Sequence, residues 1–536
     1  MAETGSKGKR ELLLGNDAIT RGIIEAGVGF ASTYPGTPSS EIGNNLEKIA
    51  QKHNMYFEFS ANEKVAMEAA SAAAMTGVRT FVFMKHVGVN VAADPMLTLA
   101  YGGVRAGMVI LTADDPTAHS SQNEQDNRNY AKLALLPMLE PSTPAEAKDM
   151  VKKGFDISEE LTLPVLFRTT TRVNHARGIV TAGDIKDTPK KNKFVRDIKR
   201  FVNVPANART NRIRLLDLNK KAAEMSEASD MNFVEGSGRI GVITAGVPYT
   251  YVKECLIGVS VLKLGFTNPL PEKKIADFMK DKEKIIVIEE LEPFLEDQIF
   301  RIARQHNISV PIHGKRSGDL PTAFEYTPDT ILSLRGIAKV ADKKEPLARP
   351  AIELPARPPT LCAGCPHRGI FHAVRKAVGR KEVIYSSDIG CYSLGAMPPF
   401  MMADMILCMG GGIGAAGGFS EVADGQEVIA FSGDSTFFHS GITPLVSALF
   451  NGHKFTAVVL DNRATAMTGH QPHPGTGRQY GGRTTEALDI ETVVKGLGVK
   501  FAETVDPYDI KATTDTIARE DFRIWTLDFV LWTLEF

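Results

Sequence analysis

The sequence predicts an α/β protein of several domains, and three observations carry that expectation. An apolar run, Glu427 to Phe431, precedes a helical stretch, Ile442 to Phe450, and a second apolar run, Phe455 to Leu460; together they form a strand–helix–strand unit. From Arg239 the chain reads RIGVITAG, a helix, KIIVIEE and SVPIHG, an alternation that indicates a further α/β domain. The 536 residues suffice for roughly three or four domains.

Composition narrows the class. At 43% apolar and 23% charged the chain has an ordinary globular balance. A net charge of -1 favours neither a nucleic acid nor a membrane surface as partner. The N-terminal stretch has no apolar signal core, and no run approaches the length of a membrane span. The five cysteines, Cys255, Cys362, Cys365, Cys391 and Cys408, are too few for a disulfide framework, so a cytoplasmic protein is expected.

In chain order, Ala18–Ala26 has a helical pattern and Val28–Thr33 is apolar. Tyr34-Pro35-Gly36-Thr37-Pro38-Ser39-Ser40 follows. Two prolines and a glycine stop the strand, and Ser39 or Ser40 can cap the next helix. A helix N-terminus with hydroxyls is a ready anion site, although a plain strand-to-helix turn has the same signature. Residues 60–79 form a small-residue helix with carboxylates at Glu63 and Glu68. A carboxyl in an Ala-rich, low-dielectric setting has a raised pKa that suits proton transfer, while a glutamate in a first turn also complements the helix dipole.

The strand Thr80–Met84 ends in Lys85-His86-Val87-Gly88-Val89-Asn90, where a strand-end Lys-His is otherwise a surface or capping pair. The strand Met108–Thr112 leads to a long polar loop with Ser121, Gln122, Asn123 and Arg128 that can wall a pocket. Arg128 faces either a carboxylate or solvent. Residues 186–214 hold ten Lys or Arg, two prolines and little periodicity, and Glu224–Glu235 is polar and loose, so 186–236 reads as a linker. A basic patch there could attract an acidic electron carrier, but a solvated linker is the simpler account. Nothing in 237–342 points to chemistry, and Cys255 reads as a buried thiol. Residues 343–360 carry five prolines and form a second linker.

The last third holds the densest chemistry. Leu361-Cys362-Ala363-Gly364-Cys365-Pro366-His367-Arg368 is followed, 26 residues past Cys365, by Cys391 within Ser387-Asp388-Ile389-Gly390-Cys391-Tyr392. Cys362, Cys365 and Cys391 suggest a metal site; zinc with His367 fits by ligand type, and cluster-free structural cysteines fit as well. Cys408-Met409-Gly410-Gly411-Gly412 opens a helix whose N-terminus can receive a diphosphate. Gly433-Asp434-Ser435 and Asp461-Asn462 end the two strands of the opening unit, with Asp434 and Asn462 28 residues apart. Ligands of open α/β sheets sit outside such strand ends. The chemistry suggested is Mg²⁺ with phosphates: Asp434 offers a charge, Asn462 a side-chain carbonyl and Ala464 a backbone carbonyl. Gly433 lets the backbone approach closely.

GDS, 25 residues, then DN resembles the thiamine-diphosphate signature GDG…NN, with Ser435 for Gly and Asp461 for the first Asn. Neither departure removes a presumed metal oxygen. Thr468-Gly469-His470-Gln471 resembles the TGGQ that follows this signature in 2-oxoacid:ferredoxin oxidoreductases, and YPGTPSSE resembles the YPITPSS of the same family. KHVGVN and CAGCPHR resemble its indolepyruvate branch. The resemblance covers about residues 1–515, with motifs of both halves in the expected order.

The resemblance implies a pyrimidine-binding domain over 1–185, the linker 186–236, a transketolase C-terminal-like α/β domain over 237–342, the Pro-rich linker 343–360, a diphosphate and Mg²⁺ domain over 361–515 and an atypical tail, 516–536. Glu63 stands 14 residues before Gly77, as in relatives, and is implied as the acid that donates to N1′ of the cofactor pyrimidine. Thr37 is implied to contact the substrate carboxylate, and Lys85 and His86 to stand at the site. Arg128 joins the catalytic candidates as a partner for a carboxylate. Cofactor contacts fall on Glu63, Asp388, Gly390, Cys391, Met409, Gly410, Gly411, Gly433, Asp434, Ser435, Asn462 and Gln471, and Mg²⁺ on Asp434, Asn462 and Ala464. In pyruvate-type relatives a CxxC and a third cysteine hold a proximal [4Fe–4S] cluster, which makes Cys362, Cys365 and Cys391 candidates. Their fourth ligand lies beyond the signature, where this sequence has no cysteine.

The implied reaction is the oxidative decarboxylation of aryl 2-oxoacids, such as indolepyruvate and phenylpyruvate, to aryl-acyl-CoA with electrons passed to ferredoxin. A β subunit is the implied partner, in a heterodimer or heterotetramer. Relatives continue into a cysteine-rich ferredoxin-like domain. This sequence ends RIWTLDFVLWTLEF, which reads as a truncation or a shifted frame. A non-oxidative decarboxylase, an oxidoreductase for another 2-oxoacid and a non-catalytic cofactor-binding remnant are the alternatives.

Overall fold

Buried strands of a parallel sheet read as apolar runs, and helices return the chain between them. A computed structural model describes residues 7–342, 355, 357–519 and 528–533. It divides into two units, Met1–Leu347 and Ala348–Phe536. Among the described residues no helix is long and apolar enough to cross a membrane.

The first unit is built on a seven-stranded sheet in the order Phe266–Asn268, Met138–Leu139, Val165–Thr170, Met108–Asp114, Thr80–Lys85, Phe30–Thr33, Tyr56–Phe59. All neighbours are parallel except the first pair. The chain therefore leaves Thr33, Phe59, Lys85 and Asp114 at one carboxyl edge, where α/β sheets place their ligands. The helix Glu63–Thr76 buries Ala66, Met67, Ala70 and Ala74, and the three alanines allow close approach to this sheet. It stops at Gly77, whose φ of 95° only glycine adopts readily.

A second sheet of the same unit has five strands, Ile312–His313, Lys284–Ile288, Ile240–Ala245, Ser260–Leu264 and Phe233–Glu235, with only the last pair antiparallel. Two expectations change here. The stretch 186–236, read as a linker, contains the helix Pro205–Ala228 and the strand Phe233–Glu235. The helix escaped notice because its buried stripe is Asn211, Leu215, Ala222 and Ser226, helically spaced but mostly polar or small. The segment 237–342 also lends the strand Phe266–Asn268 to the seven-stranded sheet. A third change is local: Ser39 precedes the helix Ser40–Ile49 without capping it, because its hydroxyl donates back to the Gly36 carbonyl at 3.0 Å.

The second unit has a six-stranded, wholly parallel sheet: Met405–Ile406, Val383–Ser387, Glu427–Gly433, Thr456–Asp461, Asp528–Thr533, Phe501–Val505. Alternate residues of Thr456–Asp461 enter opposite cores. Ala457 and Val459 meet Ile413, Phe437 and Leu445, while Val458 and Leu460 meet Phe371, Val374 and Phe431. The stretch 516–536, set apart as a tail, contributes Asp528–Thr533 between two strands of this sheet. Its Phe529-Val530-Leu531-Trp532 run is a set of strand-forming residue types.

Candidate active site

In the first unit the carboxyl edge gathers Thr37, Glu63, Lys85 and His86. Gly36 packs so closely on Lys85 that a Cβ on it would stand 2.7 Å from the Lys85 Cβ, which places the Thr37 turn beside the end of the neighbouring strand. Asn62 caps the helix Glu63–Thr76 by accepting from the Val65 N–H at 2.9 Å. Glu63, the first helical residue, is buried. Its carboxyl lies over Gly88, where an added Cβ would meet Glu63 Oε1 at 2.6 Å. Thus Gly88, in the first turn of the helix His86–Gly102, makes the space for the Glu63 carboxyl.

His86 is wholly buried. Its Nε2 faces the Asn123 carbonyl at 3.3 Å and Asn123 Oδ1 at 3.2 Å, so Nε2 carries the hydrogen. Nδ1 is buried without a hydrogen-bond partner among the described residues. Burial holds the imidazole below its ordinary pKa, so it stays neutral. The His86 carbonyl accepts from Asn127 Nδ2 at 3.0 Å and Gln125 Nε2 at 3.3 Å, which ties the loop after Asp114 to the strand end.

Arg128 leaves the catalytic candidates. It is buried, and it does face carboxylates, but they belong to the chain: Asp126, with Nε–Oδ1 at 2.9 Å, and Glu289, with Nη1–Oε2 at 2.6 Å. Nη2 also donates to the Glu290 and Glu292 carbonyls at 2.8 and 3.0 Å. With its donors engaged on both sheets' loops, the guanidinium is a structural cross-link.

In the second unit Asp434 is buried at the end of Glu427–Gly433. Its Oδ1 accepts from the Ser435 N–H at 2.7 Å and its Oδ2 from the Ala464 N–H at 3.3 Å. Sequence reasoning missed His473. Its Nδ1 accepts from the Gly475 N–H at 3.2 Å, so Nε2 carries the hydrogen and donates to Asp434 Oδ2 at 3.0 Å. Burial alone would raise Asp434, but the bond from His473 and its neighbours hold it below the usual carboxylate range. Asp461 moves the other way, raised by burial and then by the Asp434 charge. Asp434 is thus the more acidic member of the pair.

Asn462 follows Asp461 in a tight turn. The Arg463 N–H donates to Asp461 Oδ1 at 2.9 Å, the Ala464 N–H to Asn462 Oδ1 at 3.2 Å, and Arg463 adopts a φ of 54°. An ionised Asp434, an Asn462 amide oxygen and the Ala464 carbonyl form a hard-oxygen set that fits Mg²⁺. Ser435, in place of glycine, turns its hydroxyl to Thr465 Oγ1 at 2.8 Å. Gln471 closes the same loop: its carbonyl accepts from the Thr465 N–H at 3.0 Å and its Nε2 donates to the Thr468 carbonyl at 2.9 Å.

The glycine run before the helix Gly411–Val422 is held by internal contacts. Gly410 has a φ of 80°, and a Cβ there would stand 2.5 Å from the Ser440 Cβ. The Gly411 N–H donates to the Cys408 carbonyl at 2.9 Å, and the Gly412 N–H reaches Asp388 Oδ2 at 3.4 Å. Asp388 is wholly buried, and burial raises it well above the carboxylate range. Tyr392, a second residue missed in the sequence, donates to Asp388 and lays its ring against Gly433, where a Cβ would stand 2.8 Å from Cε1. Asp388 is therefore an internal brace at the N-terminus of the helix Gly411–Val422. Gly390, Cys391 and Met409 are half-buried beside it.

The sequence leaves Cys362, Cys365 and Cys391 open either as cluster ligands or as structural cysteines without a cluster. Among the described residues no group of three or more His, Cys, Asp or Glu is placed to hold a metal ion. Cys362 is exposed, and the Cys391 thiol is pushed up to about 11, by burial first and then by Cys365 and Cys362. His367, the zinc alternative, is buried and pushed down to about 4 by desolvation.

A mainly parallel sheet with a buried glutamate at its carboxyl edge and a wholly parallel sheet ending in an Asp–Asn pair match the thiamine-diphosphate-dependent class. The family model described as pyruvate flavodoxin/ferredoxin oxidoreductase, thiamine diphosphate-binding, matches residues 21–217. That of the thiamine pyrophosphate enzyme C-terminal TPP-binding domain matches 388–521. The chain is 47% identical over 526 residues to the indolepyruvate oxidoreductase subunit IorA of Methanothermobacter marburgensis, covering 96% of this chain and 85% of that one. It is 43% identical to the Archaeoglobus fulgidus subunit of the same name, covering 96% and 84%. A 2-oxoglutarate synthase subunit KorA of Archaeoglobus fulgidus is 24% identical, over 52% of this chain and 87% of that one. The chain belongs to the indolepyruvate oxidoreductase IorA family. It is an oxidoreductase subunit with thiamine diphosphate as its cofactor.

Proposed function

We propose that this chain is the catalytic α subunit of an enzyme that oxidatively decarboxylates aryl 2-oxoacids, passing the acyl group to CoA and the electrons to ferredoxin, in complex with a β subunit. The observation that supports it most is the 47% identity over 96% of the chain to a subunit named for indolepyruvate. Bound thiamine diphosphate supplies a carbon nucleophile and an electron sink.

The chain's own residues do the rest. Glu63, buried at the start of its helix with its carboxyl over Gly88, is the residue placed to exchange a proton with N1′ of the pyrimidine. Asp434, Asn462 Oδ1 and the Ala464 carbonyl would hold Mg²⁺, and His473 fixes Asp434 through its bond to Oδ2. The Thr37 hydroxyl, one residue before Pro38 and the helix Ser40–Ile49, faces the substrate carboxylate. His86, neutral and buried, positions the loop that walls the pocket.

The test is co-expression with the β partner, anaerobic purification, and viologen reduction with Mg²⁺, thiamine diphosphate, CoA and a panel of indolepyruvate, phenylpyruvate, pyruvate and 2-oxoglutarate. Reduction with the aryl acids is expected. Reduction with only pyruvate or 2-oxoglutarate moves the substrate class, and aldehyde with CO₂ but no reduction makes the chain a non-oxidative decarboxylase.

A further inference from the structure

We propose that Lys85 is the cation that receives the carboxylate of the 2-oxoacid, between the Thr37 turn and Glu63. This rests on the function proposed above and assigns a specificity-determining residue within it.

Lys85 ends the strand Thr80–Lys85 and immediately precedes the helix His86–Gly102. Its stem is fixed by Gly36, whose missing Cβ leaves just enough room for the Lys85 Cβ. Its ammonium donates to the Ser120 carbonyl, and among the described residues it makes no other hydrogen bond and no ion pair. Asp115 attracts it but has other donors: the Ser120 N–H at 2.9 Å, Ser121 Oγ at 2.6 Å and Thr171 Oγ1 at 2.7 Å. A half-buried ammonium that holds one carbonyl and no carboxylate is short of an anion. Burial accordingly brings Lys85 down to about 8.

A second observation points to the same ligand. The strands Phe30–Thr33 and Thr80–Lys85 are parallel neighbours, so the helices that follow them, Ser40–Ile49 and His86–Gly102, start at one edge. Neither has a side-chain cap at its N-terminus, and the Ser40 hydroxyl is buried without a partner among the described residues. Two positive helix ends and an under-paired ammonium therefore flank Thr37. Lys85 and Gly88, on which the Glu63 carboxyl rests, differ by three helical positions, roughly 4.5 Å along the axis.

The experiment compares the wild-type α–β complex with K85M and K85R, by viologen reduction with indolepyruvate from pH 6.5 to 9.5 and by calorimetric binding of phenyllactate, an inert aryl 2-hydroxyacid. In K85M, KM and the phenyllactate Kd are expected to rise at least 10-fold, with kcat changed less and thiamine diphosphate affinity unchanged. K85R recovers most of the loss. The wild-type KM rises above about pH 8, and that limb disappears in K85M. An unchanged phenyllactate Kd in folded K85M overturns the assignment, as does an alkaline KM limb that survives the substitution. A wild-type complex that oxidises none of the aryl acids but binds phenyllactate through Lys85 sinks the proposed function and leaves the anion site standing.

Discussion

The carboxyl edge around Lys85 and the buried network around Arg128 lie in the same unit, and both hold cations away from bulk solvent. They differ in what answers the charge. Arg128 meets Asp126 and Glu289, and its neighbour Arg168 meets Asp114 at 2.7 Å and Glu140 at 2.7 Å. Lys85 meets one carbonyl. A desolvated charge that the chain itself neutralises serves the fold, and one it leaves short of a counter-charge is arranged for a ligand. The two regions should therefore fail in different ways when altered.

The largest effect is expected from R128M. Removing the guanidinium strands Asp126 and Glu289 in the interior, which costs about 3–5 kcal/mol. Denaturant titration should show a lowered midpoint or loss of soluble protein. A variant as stable as wild type but inactive would reverse the assignment of Arg128. E63Q is the counterpart at the edge. It should retain thiamine diphosphate by calorimetry and keep its unfolding midpoint, while turnover falls at least about 100-fold, the usual scale for a lost acid–base group. Full activity would remove Glu63 from the chemistry.

These contrasts also explain what could be read before the structure was known. The strand ends Gly433-Asp434 and Asp461-Asn462 were legible because apolar runs stop at Gly, Asp and Asn, which is a local signal. Glu63 was legible as a carboxylate in an alanine-rich helix. The partners of these groups were not. Glu289 lies 161 residues from Arg128, and His473 lies 39 from Asp434. No periodicity reports such pairings, so Arg128 stayed open between a carboxylate and solvent, and His473 drew no reading at all. Asp388 was picked out from the sequence, but its full burial and its bond from Tyr392 could not be read there. Residues 205–228 failed for another reason: a helix that buries Asn211 and Ser226 has too little apolar contrast to announce its period.

Acidity separates the regions further. Glu290, in the buried network, accepts from the Tyr326 N–H at 2.9 Å and is raised by burial to about 7. The unfolded carboxyl titrates near 4.5, so between 4.5 and about 7 the folded chain holds a proton that the unfolded chain has lost. Stability should therefore fall as pH rises through that window and level off above it, by at most about 3 kcal/mol at 1.36 kcal/mol per pKa unit. In E290Q the amide oxygen still accepts from Tyr326, and this part of the slope should vanish. Urea midpoints at pH 5, 6, 7 and 8 measure it, and identical slopes in the two proteins would exclude Glu290 as the source.

The smallest and most selective change is G88A. A Cβ at residue 88 would stand 2.6 to 2.9 Å from the Glu63 carboxyl and Cγ. That contact is too short to keep, but the obstacle is the end of a side chain, not backbone, so Glu63 can turn aside. Stability should change little, since alanine is also the better helix former by roughly 1 kcal/mol. Turnover should fall about 10-fold, because a displacement near 1 Å at a reacting group is enough for a loss of that order. An unaltered midpoint with reduced turnover would show that the glycine serves the placement of Glu63. Equal losses of both, as in R128M, would show that the edge and the network are parts of one packed core.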